Sequence, residues 1–172
     1  SQQLAFYVNL KEIPNNKFGT QSAIYWNDAY LNAQVGAVTR GTYTLKIVDP
    51  ILFVKNFVPV TYLQPGAKVF DFQDIDNDAS TQLFNEVVST LGSTFSNYTN
   101  DPSKGNRITM IQSDQVGLGA SMAKAVEDAY HWKQDRGIEI VKTAIIAIEY
   151  DENTSKLLSD VQKADALSGA RG

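Results

Sequence analysis

An acidic run, DIDND at positions 74–78, is the stretch whose residue types and spacing come nearest to a recognised chemistry. Alternating aspartates open a calcium-binding loop, but that loop also needs glycine at its sixth position and a bidentate glutamate at its twelfth. Here those positions hold Ala79 and Asn85. We expect the run to cap the following helix and to complement its dipole. Calcium binding is the alternative, and its candidate ligands are Asp74, Asp76 and Asp78.

The sequence offers few residues that could carry out nucleophilic or redox chemistry. It contains no cysteine, which excludes disulfides, thiol catalysis and Cys-ligated metal sites. The single histidine, His131, has no G-x-S-x-G motif to accompany it. Gly117 and Gly119 supply two of the three glycines of a dinucleotide fingerprint, without a preceding strand. We therefore predict no catalytic residue, no cofactor and no enzymatic activity.

Composition and net charge indicate which kinds of partner to expect. The chain has 172 residues, a formal net charge of −4, and fifteen basic residues that are scattered singly. A nucleic-acid-binding domain usually carries a basic face, so we expect no nucleic-acid partner. No apolar run approaches the length of a membrane span, which predicts a soluble fragment. The abrupt start at Ser-Gln-Gln indicates a fragment cut from a longer protein.

The elements that must position these residues alternate between strands and helices. Strands are predicted at 4–10, 22–26, 35–49 and 138–150 from their β-branched and aromatic content. Turn residues at 14–16 separate the first two, and Gly41 is expected to mark a bulge in the third. Asp49 and Pro50 form a strong helix start, because Asp caps free N–H groups and Pro fits the first helical position.

Three longer helices are predicted from apolar residues that recur at helical period. They cover the apolar stripe at 83–95, which a loop at 97–106 follows, then 113–136 with Gly137 as its end, and the segment beginning at Asp151. The last helix carries an apolar stripe with nothing obvious to pack against, and its residues are Leu157, Leu158 and Val161. The pattern predicts an α+β fold, in which a curved mixed or antiparallel sheet packs against about three helices and an outgoing C-terminal helix follows.

Taken in order, these elements resemble the SPFH (band 7, flotillin/stomatin-like) domain, and in particular a bacterial branch labelled "virion core protein-like". The first similar stretch is AFYVNLKEIPNNKFGTQSAIYWND, with its strand, Gly-Thr turn and second strand. The second is VGAVTRGTYTLKIVDPILFVKNFV, a long strand followed by Asp-Pro and a short helix. The third is GIEIVKTAIIAIEYDENTSKLL, the closing strand and the start of a helix.

The resemblance implies a division of the chain into two parts. Residues 1–150 would form the SPFH-like domain without its membrane-proximal N-terminal part, and residues 151–172 would begin a C-terminal helical oligomerisation region. It also implies attachment to the cytoplasmic face of a membrane through segments outside this chain. The family's cysteine-containing metal ribbon, found in some relatives, has no counterpart here.

Two functions follow as hypotheses. The first is a non-enzymatic, membrane-associated scaffold that forms homo-oligomers through the C-terminal helix, with Leu157, Leu158 and Val161 in the contact, and that organises partner proteins. The second is a small-molecule- or ion-binding module that uses the acidic loop at 74–78. Measuring self-association tests the first, and ligand titration tests the second.

Overall fold

Local sequence chemistry sets most element boundaries in the computed structural model, which describes residues 3–171. Within that range the strands are β1 (Ile13–Gly19), β2 (Ile24–Asp28), β3 (Ala33–Ile47) and β4 (Ile138–Tyr150). The helices are α1 (Pro50–Asn56), α2 (Asp78–Ser89), α3 (Leu91–Thr99), α4 (Gln115–Tyr130), α5 (Trp132–Arg136) and α6 (Glu152–Arg171).

The long strand β3 is the centre of the sheet. One of its edges pairs with β2 and then with β1, and its other edge pairs with β4 over most of its length. All of these pairings are antiparallel and the sheet does not close into a barrel. Three helices pack on the sheet, with α4 against β4, α3 against β2 and α2 against β1. The predicted α+β class is confirmed, and the sheet is purely antiparallel.

Gly41 lies at a bulge, as its position in the sequence predicted. The pairing of β3 with β4 shifts register between Arg40 and Gly41, which leaves Ile146 as the extra residue on β4. A Cβ atom at Gly41 would collide with the carbonyl oxygen of Ala144, so only glycine fits this approach of the two backbones. The bulge gives the sheet its local bend.

The predicted helix signals at both ends of the α1–α5 region are confirmed. Asp49 Oδ1 accepts a hydrogen bond from the Leu52 N–H at 3.1 Å, and Pro50 is the first residue of α1. At the other end Gly137 terminates α5 in the left-handed conformation, with φ of 63°. Glycine adopts this conformation without a steric penalty, which lets the chain turn directly into β4.

The strand predicted at 4–10 is wrong, because this segment has no regular structure. Its aromatic and branched residues favour a strand, but the segment pairs with none of the four strands, and residues 5–9 instead line a cleft beside α1. The predicted turn at 14–16 lies inside β1 instead. There Asn15 has φ of 63°, and the Asn16 side-chain amide donates to the Tyr43 carbonyl at 3.0 Å. The turn-forming residues thus make a strand irregularity.

Two predicted helices are each divided in two. The segment at 83–95 breaks at Thr90, whose backbone leaves the helical conformation, with φ of −106° and ψ of 6°, and whose N–H donates to the Val87 carbonyl. The segment at 113–136 breaks at His131, which has left-handed φ of 56°. In both places the apolar period continues across the break, which is why periodicity alone predicted a single helix.

Candidate functional site

The start of α6 is fixed to the central strand by a short set of hydrogen bonds. The Asp151 N–H donates to the Gly36 carbonyl at 3.0 Å, and the Gly36 N–H donates to the Thr154 hydroxyl at 3.0 Å. Asp151 Oδ1 in turn accepts from the Thr154 N–H at 2.8 Å. These bonds from Thr154 hold the pKa of the Asp151 carboxyl below its usual value. The first turn of α6 is therefore part of the folded domain.

The apolar stripe of α6 begins on the core and continues beyond it. Leu157, Leu158 and Val161 are half-buried against the core cluster, so the expectation that they have nothing to pack against is wrong. The sheet end below α6 supplies the partner that sequence spacing could not indicate. Further along the same stripe Ala164 is exposed, while Leu167, which is 60% exposed, lies on a different face of the helix.

A polar contact also joins the second half of α6 to the body of the domain. The Tyr30 hydroxyl donates to Asp165 Oδ2 at 3.1 Å and accepts from the Arg107 guanidinium at 3.1 Å. That guanidinium lies 4.2 Å from the centroid of the Tyr30 ring. The contact orients α6 along the β2–β3 turn on the same side as Val161, four residues earlier, and leaves Ala164 exposed.

The acidic run serves its own loop and the start of α2. Asp74 Oδ2 pairs with Lys68 Nζ at 3.0 Å, and Asp74 Oδ1 accepts from the Asp76 N–H at 2.9 Å. The hydrogen bond from the Asp76 backbone, followed by that from Lys68, lowers the pKa of Asp74. Asn77 caps α2 by accepting from the Ala79 N–H, and Asp78 lies in the first turn.

No metal-binding group emerges from this loop. Within residues 3–171, no three His, Cys, Asp or Glu side chains are arranged to hold a metal ion. Asp76 is exposed, and one Asp74 oxygen is already paired with Lys68. Calcium binding by Asp74, Asp76 and Asp78 stays an untested prediction.

His131 and the two glycines of α4, Gly117 and Gly119, have structural roles. His131 is exposed at the α4–α5 junction, where its N–H donates to the Glu127 carbonyl at 2.9 Å. Gly117 N–H donates to the capping carboxylate of Asp114 at 2.9 Å. A Cβ atom at Gly119 would lie 2.7 Å from the Lys142 Cα, so this glycine allows α4 to approach β4 closely.

A cleft of about 1020 Å³ lies beside the acidic loop, and the sequence did not predict it. The irregular segment 5–9, α1 and the chain from 62 to 74 form its walls. Its aromatic cluster comprises Phe53, Tyr62, Phe70 and Phe72, with ring centroids 5.0 to 5.8 Å apart. The signal in the sequence was the alternation of Phe70 and Phe72 within VFDFQD, a stretch otherwise typical of a loop.

The sequence matches no protein-family model and no curated protein. Its place among SPFH-like domains accordingly rests on the resemblance of the three quoted stretches and remains a proposal.

Proposed function

We propose that this chain is a non-enzymatic scaffold domain of the SPFH type, which self-associates through α6 and organises partner proteins at a membrane. The observation that carries the proposal is the apolar stripe of α6. It starts on the domain core at Leu157 and Val161 and continues to Ala164, which follows Leu157 by two turns and is uncovered. A stripe of this kind stabilises a helix when a second surface covers it.

The anchoring of α6 supports the same function. Because Asp151 and Thr154 bond to Gly36 on the central strand, the helix leaves the domain in a fixed direction. A helix held in this way can present its outer half to a second copy without the entropic cost of ordering a free segment. The α+β domain with an outgoing helix is also the architecture that the SPFH resemblance implies.

The assignment as a non-enzymatic domain is supported by the structural roles of two acids, the buried Glu86 and the half-buried Asp114. Both carboxylate oxygens of Glu86 accept hydrogen bonds, from Trp132, Arg136 and Gln82 at 2.7 to 3.1 Å. Asp114 accepts from the Tyr98 hydroxyl at 2.8 Å and caps α4. Groups engaged in this way stabilise the fold and are not poised for proton transfer.

The proposal includes attachment to the cytoplasmic face of a membrane through segments outside this chain. No helix within residues 3–171 combines the length and the apolar character needed to cross a bilayer.

The absence of cysteine makes a clean test of self-association possible. We expect Ala164→Cys to form an interchain disulfide under mild oxidation, because the stripe places this residue in the contact between two helices. Ser159→Cys is the matched control, since Ser159 is equally exposed but lies on the opposite side of α6. Equal crosslinking of the two variants, or none of either, would count against a contact through the stripe.

The aromatic cleft favours a second candidate function, a small-molecule-binding module. Its volume of about 1020 Å³ is at the upper end of the range of ligand pockets, roughly 300–1,000 Å³, and its lining is mainly apolar with a few polar groups. Asp71 and Asp74 at its edge connect it to the acidic loop that the sequence singled out.

A further inference from the structure

The body of the cleft is suited to an apolar ligand. Phe53 is buried at its base, while Phe70 and Phe72 are half-buried in its wall. The Phe70 and Phe72 rings meet edge to face, with an interplanar angle of 77° and centroids 5.0 Å apart. Aromatic rings in this arrangement offer electron-rich faces as well as apolar area.

The mouth of the cleft carries apolar side chains that remain in water. Phe6 is 46% exposed, Val69 is 84% exposed, and Tyr7 is fully exposed. Large exposed apolar groups grouped around one depression mark an interaction site more often than a chance surface. A ligand with an apolar body would remove these three side chains from water when it binds.

The charges of the lining do not cancel. Lys68 and Asp74 pair with each other at 3.0 Å, which leaves Asp71 as the remaining charged side chain of the lining. Asp71 Oδ1 accepts from the Gln73 N–H at 2.9 Å, and no basic side chain among residues 3–168 lies within ion-pair distance of it. The cleft therefore combines aromatic walls with a net negative edge.

We infer that the cleft binds an amphipathic organic cation, an apolar body that carries an ammonium or quaternary ammonium group. The apolar body covers the aromatic cluster, and the cationic group meets Asp71 and the ring faces, which attract cations through their quadrupoles. This inference rests on the second candidate function and names its ligand class. It is independent of self-association through α6.

Three probes with the same eight-carbon chain test the charge preference. They are octyltrimethylammonium, octyl glucoside and octyl sulfate, each titrated calorimetrically below its aggregation concentration. We expect the cation to bind about two- to fivefold more tightly than the neutral glucoside, the size of a solvent-exposed cation–π contribution. The sulfate should bind most weakly of the three.

Substitutions assign the effect to the cleft. Asp71→Asn and Phe72→Leu should each reduce the preference for the cation over the glucoside, because Asp71 and the ring faces both attract it, and leucine retains apolar volume. Asp76→Asn is the matched control, because Asp76 is an exposed acid of the same loop that does not line the cleft. Asp71 is exposed, so its substitution leaves the fold intact even if Phe72→Leu does not fold.

The possible outcomes distinguish a failure of the cationic ligand class from a failure of the small-molecule-binding function. Preference for the cation that is reduced in Asp71→Asn and kept in Asp76→Asn supports the inference, and a preference unchanged in Asp71→Asn contradicts the role of Asp71. Equal binding of all three probes overturns the cationic ligand class but leaves a small-molecule site in place. If none of the probes binds, the inference and the second candidate function both fail, while the scaffold proposal is untouched.

Discussion

Replacing Arg136 by methionine should expose how much the domain depends on one buried ion pair. Arg136 makes a two-pronged contact with Glu86, with N–O distances of 2.7 and 3.1 Å, and the side chains are 15% and 7% exposed. The same carboxylate accepts from the Trp132 indole at 2.7 Å. The pair thereby joins α2 to α5, beneath the turn into β4.

The magnitude follows from burial. Removing Arg136 leaves the Glu86 carboxylate charged and nearly out of water, which costs about 3–5 kcal/mol in comparable buried pairs. Both side chains are less than a third exposed, so solvent screening does little to reduce this cost. Since domains of this size are stable by roughly 5–15 kcal/mol, Arg136→Met should remove a large part of the free energy of unfolding.

The assay is urea unfolding, followed by the fluorescence of the buried Trp26 and Trp132 and checked by circular dichroism. Lys124→Met is the matched control, because Lys124 pairs with Asp128 at 2.6 Å while both side chains are more than 60% exposed. That pair should contribute no more than about 0.5 kcal/mol. Losses that agree within about 0.5 kcal/mol for the two variants would refute the reasoning from burial.

Three further predictions concern close packing and the anchor of α6. Gly119→Ala should lower the free energy of unfolding by about 1–3 kcal/mol, measured by urea unfolding, because the new methyl group would meet the Lys142 backbone. Thr154→Val should cost about 1–3 kcal/mol in the same assay, since the Gly36 N–H loses its acceptor. The lowered pKa of Asp151 stabilises the start of α6 above the carboxyl's unfolded-state pKa. The protection factor of the amides there, which is corrected for the intrinsic pH dependence of exchange, should therefore fall as pH falls through the lowered value, and Asp151→Asn should remove that dependence.

Short-range signals in the sequence predicted the parts of the fold that local chemistry determines. Asp49 and Pro50 define the start of α1, Gly137 defines the end of α5, and Gly41 marks the bulge. The two helix ends depend on residues within a few positions, so they are readable from one sequence. The bulge also depends on the approach of β4 at Ala144, but the glycine that permits it is visible in the sequence.

The features that sequence reasoning missed depend on distant partners. The segment 4–10 has strand-like composition but pairs with no strand of the sheet, and His131 interrupts a helix whose apolar period runs on. The aromatic cleft brings Phe53 together with Phe70 and Phe72, which are separated from it by a loop. Likewise the hydrogen bond from the Gly36 N–H to the Thr154 hydroxyl, which anchors α6, joins residues more than a hundred positions apart.

The most direct test of the central claim is the mass of the chain in solution, measured by light scattering across a concentration series. If α6 mediates self-association, the mass should rise above the 19.0 kDa of one chain as concentration increases. Ala164→Glu should return it to 19.0 kDa by placing a charge in the contact. A mass of 19.0 kDa at every concentration, or a rise that persists in Ala164→Glu, would contradict a scaffold assembled through this helix.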